Sequence, residues 1–163
     1  MLEVAQMPVG TIPVVLALFG VGMVTGNLAG ARLADKALMP TIGGVLAWSA
    51  LVLGAFVLTA PHAWLASANV LLIGTVVALG PALQIRLMDV AGDAQTLAAA
   101  LNHSAFNMAN ALGAWLGGVS IAAGLGWTST GWVGALLAVG GLAVFAWSVL
   151  AMQRGGVTMP QAS

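Results

Sequence analysis

The sequence predicts an all-α fold, a polytopic membrane helical bundle of about five transmembrane helices. Two observations carry that expectation, and a third supports it. The 163-residue chain is 61% hydrophobic and only 5% charged, whereas a soluble domain needs about a quarter charged residues to cover its surface. Its apolar residues also gather into runs of about 20, the length that crosses a bilayer as a helix. Those runs lack period-2 alternation and are too long for strands. The mean hydropathy of +1.06 agrees, so the solvent is lipid.

The elements follow in order. Residues 1–11, within "LEVAQMPVGTIP", read as the outer end of a truncated preceding helix and its proline-marked loop. A membrane domain is expected over residues 12–154, with a cytoplasmic tail over 155–163. Its spans lie at about 12–31, 41–60, 63–85, 96–122 and 131–152. The breaks are short: "RLADKALMP", "PH", "RLMDVAGDAQ" and "GLGWTSTG". Connections of two to ten residues suit antiparallel neighbours in a compact bundle. The N-terminus has no basic region followed by a small-residue cleavage site, so no signal peptide is read.

In the first span Gly22, Gly26 and Gly30 recur at i, i+4, i+8, a single helical stripe. Small residues at that spacing let two helix backbones approach closely in lipid. Asn27 sits beside the stripe. The span runs into a charged turn, with Arg32, Asp35 and Lys36 at the membrane edge. Such charges serve as ordinary interfacial anchors, or a carboxylate there meets the positive N-terminus of a neighbouring helix in one conformation only. Gly74, Gly80 and Pro81 permit a bend in the third span. Arg86 and Asp89, three residues apart, are expected to pair.

The fourth span carries His103, Asn107 and Asn110 with Ala114 and Gly117 on one helical face. Polar groups cannot point at lipid without a cost of several kcal/mol each. They act either as hydrogen-bonding glue between helices or as the lining of a watery cavity. Histidine titrates near neutral pH, so an intramembrane histidine is a candidate for proton handling. Gly113 and Gly117, like Gly22, are assigned to helix packing.

Arg32, Lys36, Arg86 and Arg154 all fall on one side of a five-span topology. By the excess of basic residues in cytoplasmic loops, the N-terminus lies outside and the C-terminus in the cytoplasm of a multi-pass protein of the cell (inner) membrane. Net charge is zero, which argues against nucleic acid as a partner. There is no cysteine. No catalytic constellation, phosphate-binding loop or metal-ligand spacing is present, so no enzyme activity, cofactor or metal is expected.

Two stretches carry a family resemblance. "GNLAGARLADK" resembles the loop signature of the major facilitator superfamily, in the copy that follows the eighth helix of a twelve-helix transporter. Relative to that pattern Asp35 is kept, Lys36 replaces arginine and Ala31 stands where glycine is common. Ala37, Leu38, Met39 and Pro40 replace the basic tail. The stretch "ALQIRLMDVAGDAQTLAAALNHSAFNMANALGAWLGG", residues 82–118, is similar to the tenth-to-eleventh helix region of the drug–proton antiporter branch, which includes sugar (arabinose-type) efflux permeases. The resemblance implies that the spans correspond to helices 8–12, the C-terminal half less one helix. It also implies a conformational latch at Gly26, Asn27, Gly30, Arg32, Asp35 and Lys36, and a small-molecule substrate pathway along His103, Asn107 and Asn110. The partners it implies are the lipid bilayer and a missing N-terminal transporter half, without which this chain is expected to be inactive. The other expectation is a small membrane interaction or regulatory protein that associates with another transporter half.

Overall fold

The computed structural model describes residues 7–154; expectations for residues 1–6 and 155–163 lie outside them. The described residues are helical almost throughout. After a 3-10 turn at Val9–Thr11 come α1 (Ile12–Lys36), α2 (Leu38–Thr59), α3 (Ala63–Thr75), α4 (Leu79–Ala91), α5 (Gln95–Ala122) and α6 (Ser129–Arg154). A 3-10 turn at Val76–Ala78 joins α3 to α4, and another at Gly92–Ala94 joins α4 to α5.

Among the described residues four helical runs are long and apolar enough to cross a membrane: Val9–Lys36, Leu38–Thr59, Ala63–Ala122 and Ser129–Arg154. The third, of 60 residues, would measure about 90 Å if straight, some three times the hydrocarbon thickness of a bilayer. It is not straight. Gly92 adopts φ +53, ψ −121, a backbone that a side chain would strain. Beyond it the chain returns, so that Gly80 on α4 lies against the Phe106 ring on α5. The run is a hairpin whose two legs take up the third and fourth expected spans.

The charged stretch expected as a turn is helix instead. α1 continues through Arg32, Asp35 and Lys36, and only Ala37 breaks the pattern, with an extended backbone at φ −158, ψ 84. Ala, Arg, Leu and Lys are good helix formers, and Lys36 in the last turn suits the negative end of the helix dipole. Pro40 falls in the first turn of α2, where a missing N–H costs nothing.

Two close helix pairs organise the bundle. The stripe of Gly22, Gly26 and Gly30 is buried along α1 and faces α3 and the turn after it. A Cβ on Gly22 would overlap the Leu71 carbonyl, one on Gly26 would lie 2.5 Å from Thr75 Cα, and one on Gly30 2.6 Å from Ala78 Cβ. In return Gly74 lies against the backbone of Phe19 and Met23. The second pair is α2 with α6, where Gly131 meets the Leu53 carbonyl and Gly43 meets the Phe145 ring. Ala34, Ile42 and Ala82 form a small core that joins α1, α2 and α4, with Phe145 of α6 packed against it.

That core fixes the polarity of the bundle. Lys36, Ala91 and Arg154 close their helices at the same end, and the Arg86 guanidinium donates to Met152 Sδ at 3.5 Å. Arg86 thus reaches across to α6 rather than along its own helix to Asp89. At the opposite end Ser120 and Ser129 share a buried hydroxyl–hydroxyl hydrogen bond of 2.8 Å. Gly124 and Gly126 supply the positive φ values, 81 and 78, of the connection between α5 and α6.

Candidate functional site

A cavity of about 490 Å³ lies where α1, the α3–α4 bend and α5 meet. Its polar lining is Asn27 from α1, Gln84 from α4, and Asn102 and His103 from α5. Val77, Gly80, Pro81, Ile85, Met88 and Phe106 complete the wall.

The cavity lies beside the bend. Pro81 has no N–H and cannot continue the helical hydrogen-bond ladder, and the backbone just before it tightens to a 3-10 turn at Val76–Ala78. Past that turn Ala82 stays packed against Ala34 of α1, and the cavity lies on the other flank of α4, between Asn27, Gln84 and Asn102, His103 and Phe106 of α5.

The cavity's polar groups are chemically free. Side-chain hydrogen bonds among the described residues are made by threonines, serines, Trp48, Asn69 and Arg86; Asn27, Gln84, Asn102 and His103 take no part. Three amides and an imidazole can both donate and accept hydrogen bonds. With the Phe106 ring they give the cavity a lining of amides, an imidazole and an aromatic face. No carboxylate lines the cavity, and no cluster of three metal-ligating side chains occurs among the described residues.

The geometry redistributes the residues singled out from the sequence. His103 and Asn27, assigned there to different groups, meet in one cavity. Asn107 and Asn110 do not line it; they lie further along α5 and are exposed. The buried side of α5 carries Ala98, Asn102, Gly117 and Ser120, so the expected stripe divides: His103 borders the cavity and Gly117 is buried, while Asn107 and Asn110 are exposed. None of the three polar side chains hydrogen-bonds another helix among the described residues. Gly117 packs against Thr130, while Gly113 is half-buried and a Cβ added there would meet no neighbouring atom within 4 Å. Arg32, Asp35 and Lys36 are exposed on the last turns of α1.

Sequence reasoning missed Gln84 and Asn102. Each is an amide within an apolar run, Gln84 in the span that also holds Asn69 and Asn102 beside His103, and that was the available signal.

The chain is 38% identical over 124 residues to the "Inner membrane transport protein YdhP" of Escherichia coli (strain K12), a match covering 76% of this chain and 32% of that protein. It is 31% identical over 157 residues to the "Uncharacterized MFS-type transporter YtbD" of Bacillus subtilis (strain 168), covering 93% of this chain and 39% of the relative. A third, the "Uncharacterized MFS-type transporter YfhI" of Bacillus subtilis (strain 168), is 37% identical over 103 residues, covering 62% of this chain and 26% of its own. The chain thus spans about a third of the length of the curated relatives it matches. No family model matches it, and no solved structure does.

Proposed function

The chain belongs to the major facilitator superfamily of transporters, and from that premise we propose that it is the C-terminal part of a secondary active efflux transporter. The substrate is a small molecule of the drug or sugar class, exported by alternating access and coupled to protons. One observation carries this reading. His103, Asn107 and Asn110 form a polar stripe on the exposed side of a membrane helix, where lipid is an unacceptable neighbour. A second transporter half supplies the other wall, and the space between the two walls is the substrate path.

The chemistry follows from the residues. Asn27, Gln84 and Asn102 exchange hydrogen bonds with a neutral substrate, and Phe106 covers an apolar face of it. His103, in the same cavity, is the side chain to which the proton coupling is assigned. Asp35, exposed at the end of α1, supplies the latch contact to the opposing half. The end of the bundle that carries Arg32, Lys36, Arg86 and Arg154 lies in the cytoplasm by the positive-inside rule.

The test is reconstitution in liposomes, with this chain alone and together with the N-terminal half of the YdhP protein. Uphill, protonophore-sensitive uptake of a sugar or an amphipathic drug is expected only from the pair. Uphill transport by the chain alone overturns the two-half mechanism, and transport by the pair that ignores the proton gradient overturns the coupling. A chain that binds an intact transporter and changes its rate, without transporting in either preparation, supports a regulatory partner instead.

A further inference from the structure

On the far side of α1 from Asn27 a second groove, of about 590 Å³, runs between α1 and α2. Its floor is the turn at Thr75 and Ala78, its walls include Ala29 and Gly44, and Lys36 stands at its closed end beside Ala37. We propose that this groove holds one acyl chain of an anionic phospholipid, with the lipid phosphate on the Lys36 ammonium. The proposal is independent of the transport cavity and of the reading placed on it.

Three observations select this occupant. The first is chemical. The groove contains hydroxyls and an indole, but these are satisfied within the protein. Thr25 donates to the Val21 carbonyl, Thr41 to the Ala37 carbonyl and Thr75 to the Leu72 carbonyl. The Trp48 indole donates to Thr75 Oγ1. A polar solute would find only Lys36 to bond, whereas an acyl chain needs no partner at all.

The second is length. On α1 the groove runs from Lys36 back to Thr25, which at 1.5 Å per residue is about 16 Å. Half the hydrocarbon thickness of a bilayer is about 15 Å, so the groove is one leaflet deep. The third is charge. Lys36 is exposed at the end of the bundle that gathers the basic residues together with Asp35, Asp89 and Asp93, and it is the charged side chain that lines the groove, at the level where lipid phosphates lie.

The experiment places the chain in nanodiscs of equal phosphatidylglycerol and phosphatidylcholine, then counts retained lipid by native mass spectrometry after mild detergent extraction. One retained phosphatidylglycerol per chain is expected. Lys36→Gln should lower the preference for phosphatidylglycerol about fivefold, the worth of one basic residue near an anionic surface. Arg154→Gln, at the same end but outside the groove, should leave it unchanged.

Gly44→Phe should abolish retention by filling the groove. Nothing lies within 4 Å of a Cβ at Gly44, so the ring enters open space. Ala29→Trp fills the groove from the opposite wall and guards against a folding failure in the first variant. Gly118→Phe, equally open but on α5, is the matched control. Retention unchanged in both filled variants overturns the site. Equal loss of preference in Lys36→Gln and Arg154→Gln reduces it to general attraction by a basic surface and overturns it as well.

Discussion

The indole N–H of Trp48 donates a 2.9 Å hydrogen bond to Thr75 Oγ1, tying the middle of α2 to the residue at which α3 gives way to a 3-10 turn. Thr75 donates in turn to the Leu72 carbonyl at 2.6 Å. It also packs directly against Gly26 of α1. One residue thus meets two helices besides its own, at the point where the backbone of its run changes pitch.

Trp48→Phe keeps a ring in place and removes the donor. Thr75 retains its bond to Leu72, so no hydroxyl is orphaned. The expected loss is about 0.6 kcal/mol, the average for interhelical hydrogen bonds in a membrane. It is read as a small shift in the midpoint of unfolding by denaturing detergent; a loss above about 2 kcal/mol would mean that the bond supports the turn cooperatively.

Gly26→Ala should destabilise by about 1–3 kcal/mol, because its methyl meets Thr75 backbone rather than a yielding side chain. Gly118→Ala, on an open face of α5, should be neutral or stabilising by up to about 1 kcal/mol through helix propensity. The same unfolding assay compares the two. Equal effects would remove the α1–α3 crossing as the reason for the glycine stripe.

Asn69 is buried at 4% exposure. Its Nδ2 makes a long 3.3 Å bond to the Val52 carbonyl, and its Oδ1 has no partner. An orphaned buried acceptor is destabilising, so replacing the whole group by an apolar one of similar size is close to neutral. Asn69→Leu should change stability by less than about 1 kcal/mol in either direction. A large loss would instead assign the amide a structural role.

A double-mutant cycle on Ser120 and Ser129 should give a coupling near 0.6 kcal/mol for their 2.8 Å contact. Each hydroxyl is also within hydrogen-bond distance of a carbonyl three residues back; the two protons serve two of these three contacts at once, one donating to the other serine and one to a carbonyl, so the single alanine variants should remain folded. Zero coupling would mean that each serine is held by its own backbone alone.

His103→Gln should leave stability within about 0.5 kcal/mol, since the side chain is exposed and bonds no described residue. In the reconstituted pair of halves it should flatten the pH dependence of transport. An unchanged pH profile would remove His103 from the coupling step.

Much of this was legible beforehand, for reasons that differ by residue. The membrane bundle was readable because apolar runs of bilayer length admit few other folds. The stripe at Gly22, Gly26 and Gly30 was readable from spacing, but its partner was not, since a smooth face does not name the helix that meets it. The charged segment reads as a turn because charge commonly marks a loop, yet Arg32 and Lys36 are as content on a helix end as beyond it. On α5 the sequence pointed to His103 and passed over Asn102, its neighbour. One residue is a rotation of about 100°, enough to bury Asn102 while His103 stays exposed. Only the packing of α4 and α5 shows that both border the same space.

The break at Ala37 carries a mechanical consequence. With a single extended residue between them, α1 and α2 meet at a joint that has only the φ and ψ of Ala37 to turn about. α1 is packed through its glycines against α3, and α2 through Phe145 and Leu53 against α6. A rotation of one tight pair against the other would have to be taken up in part at that residue, the kind of short element-terminal connection at which hinges form.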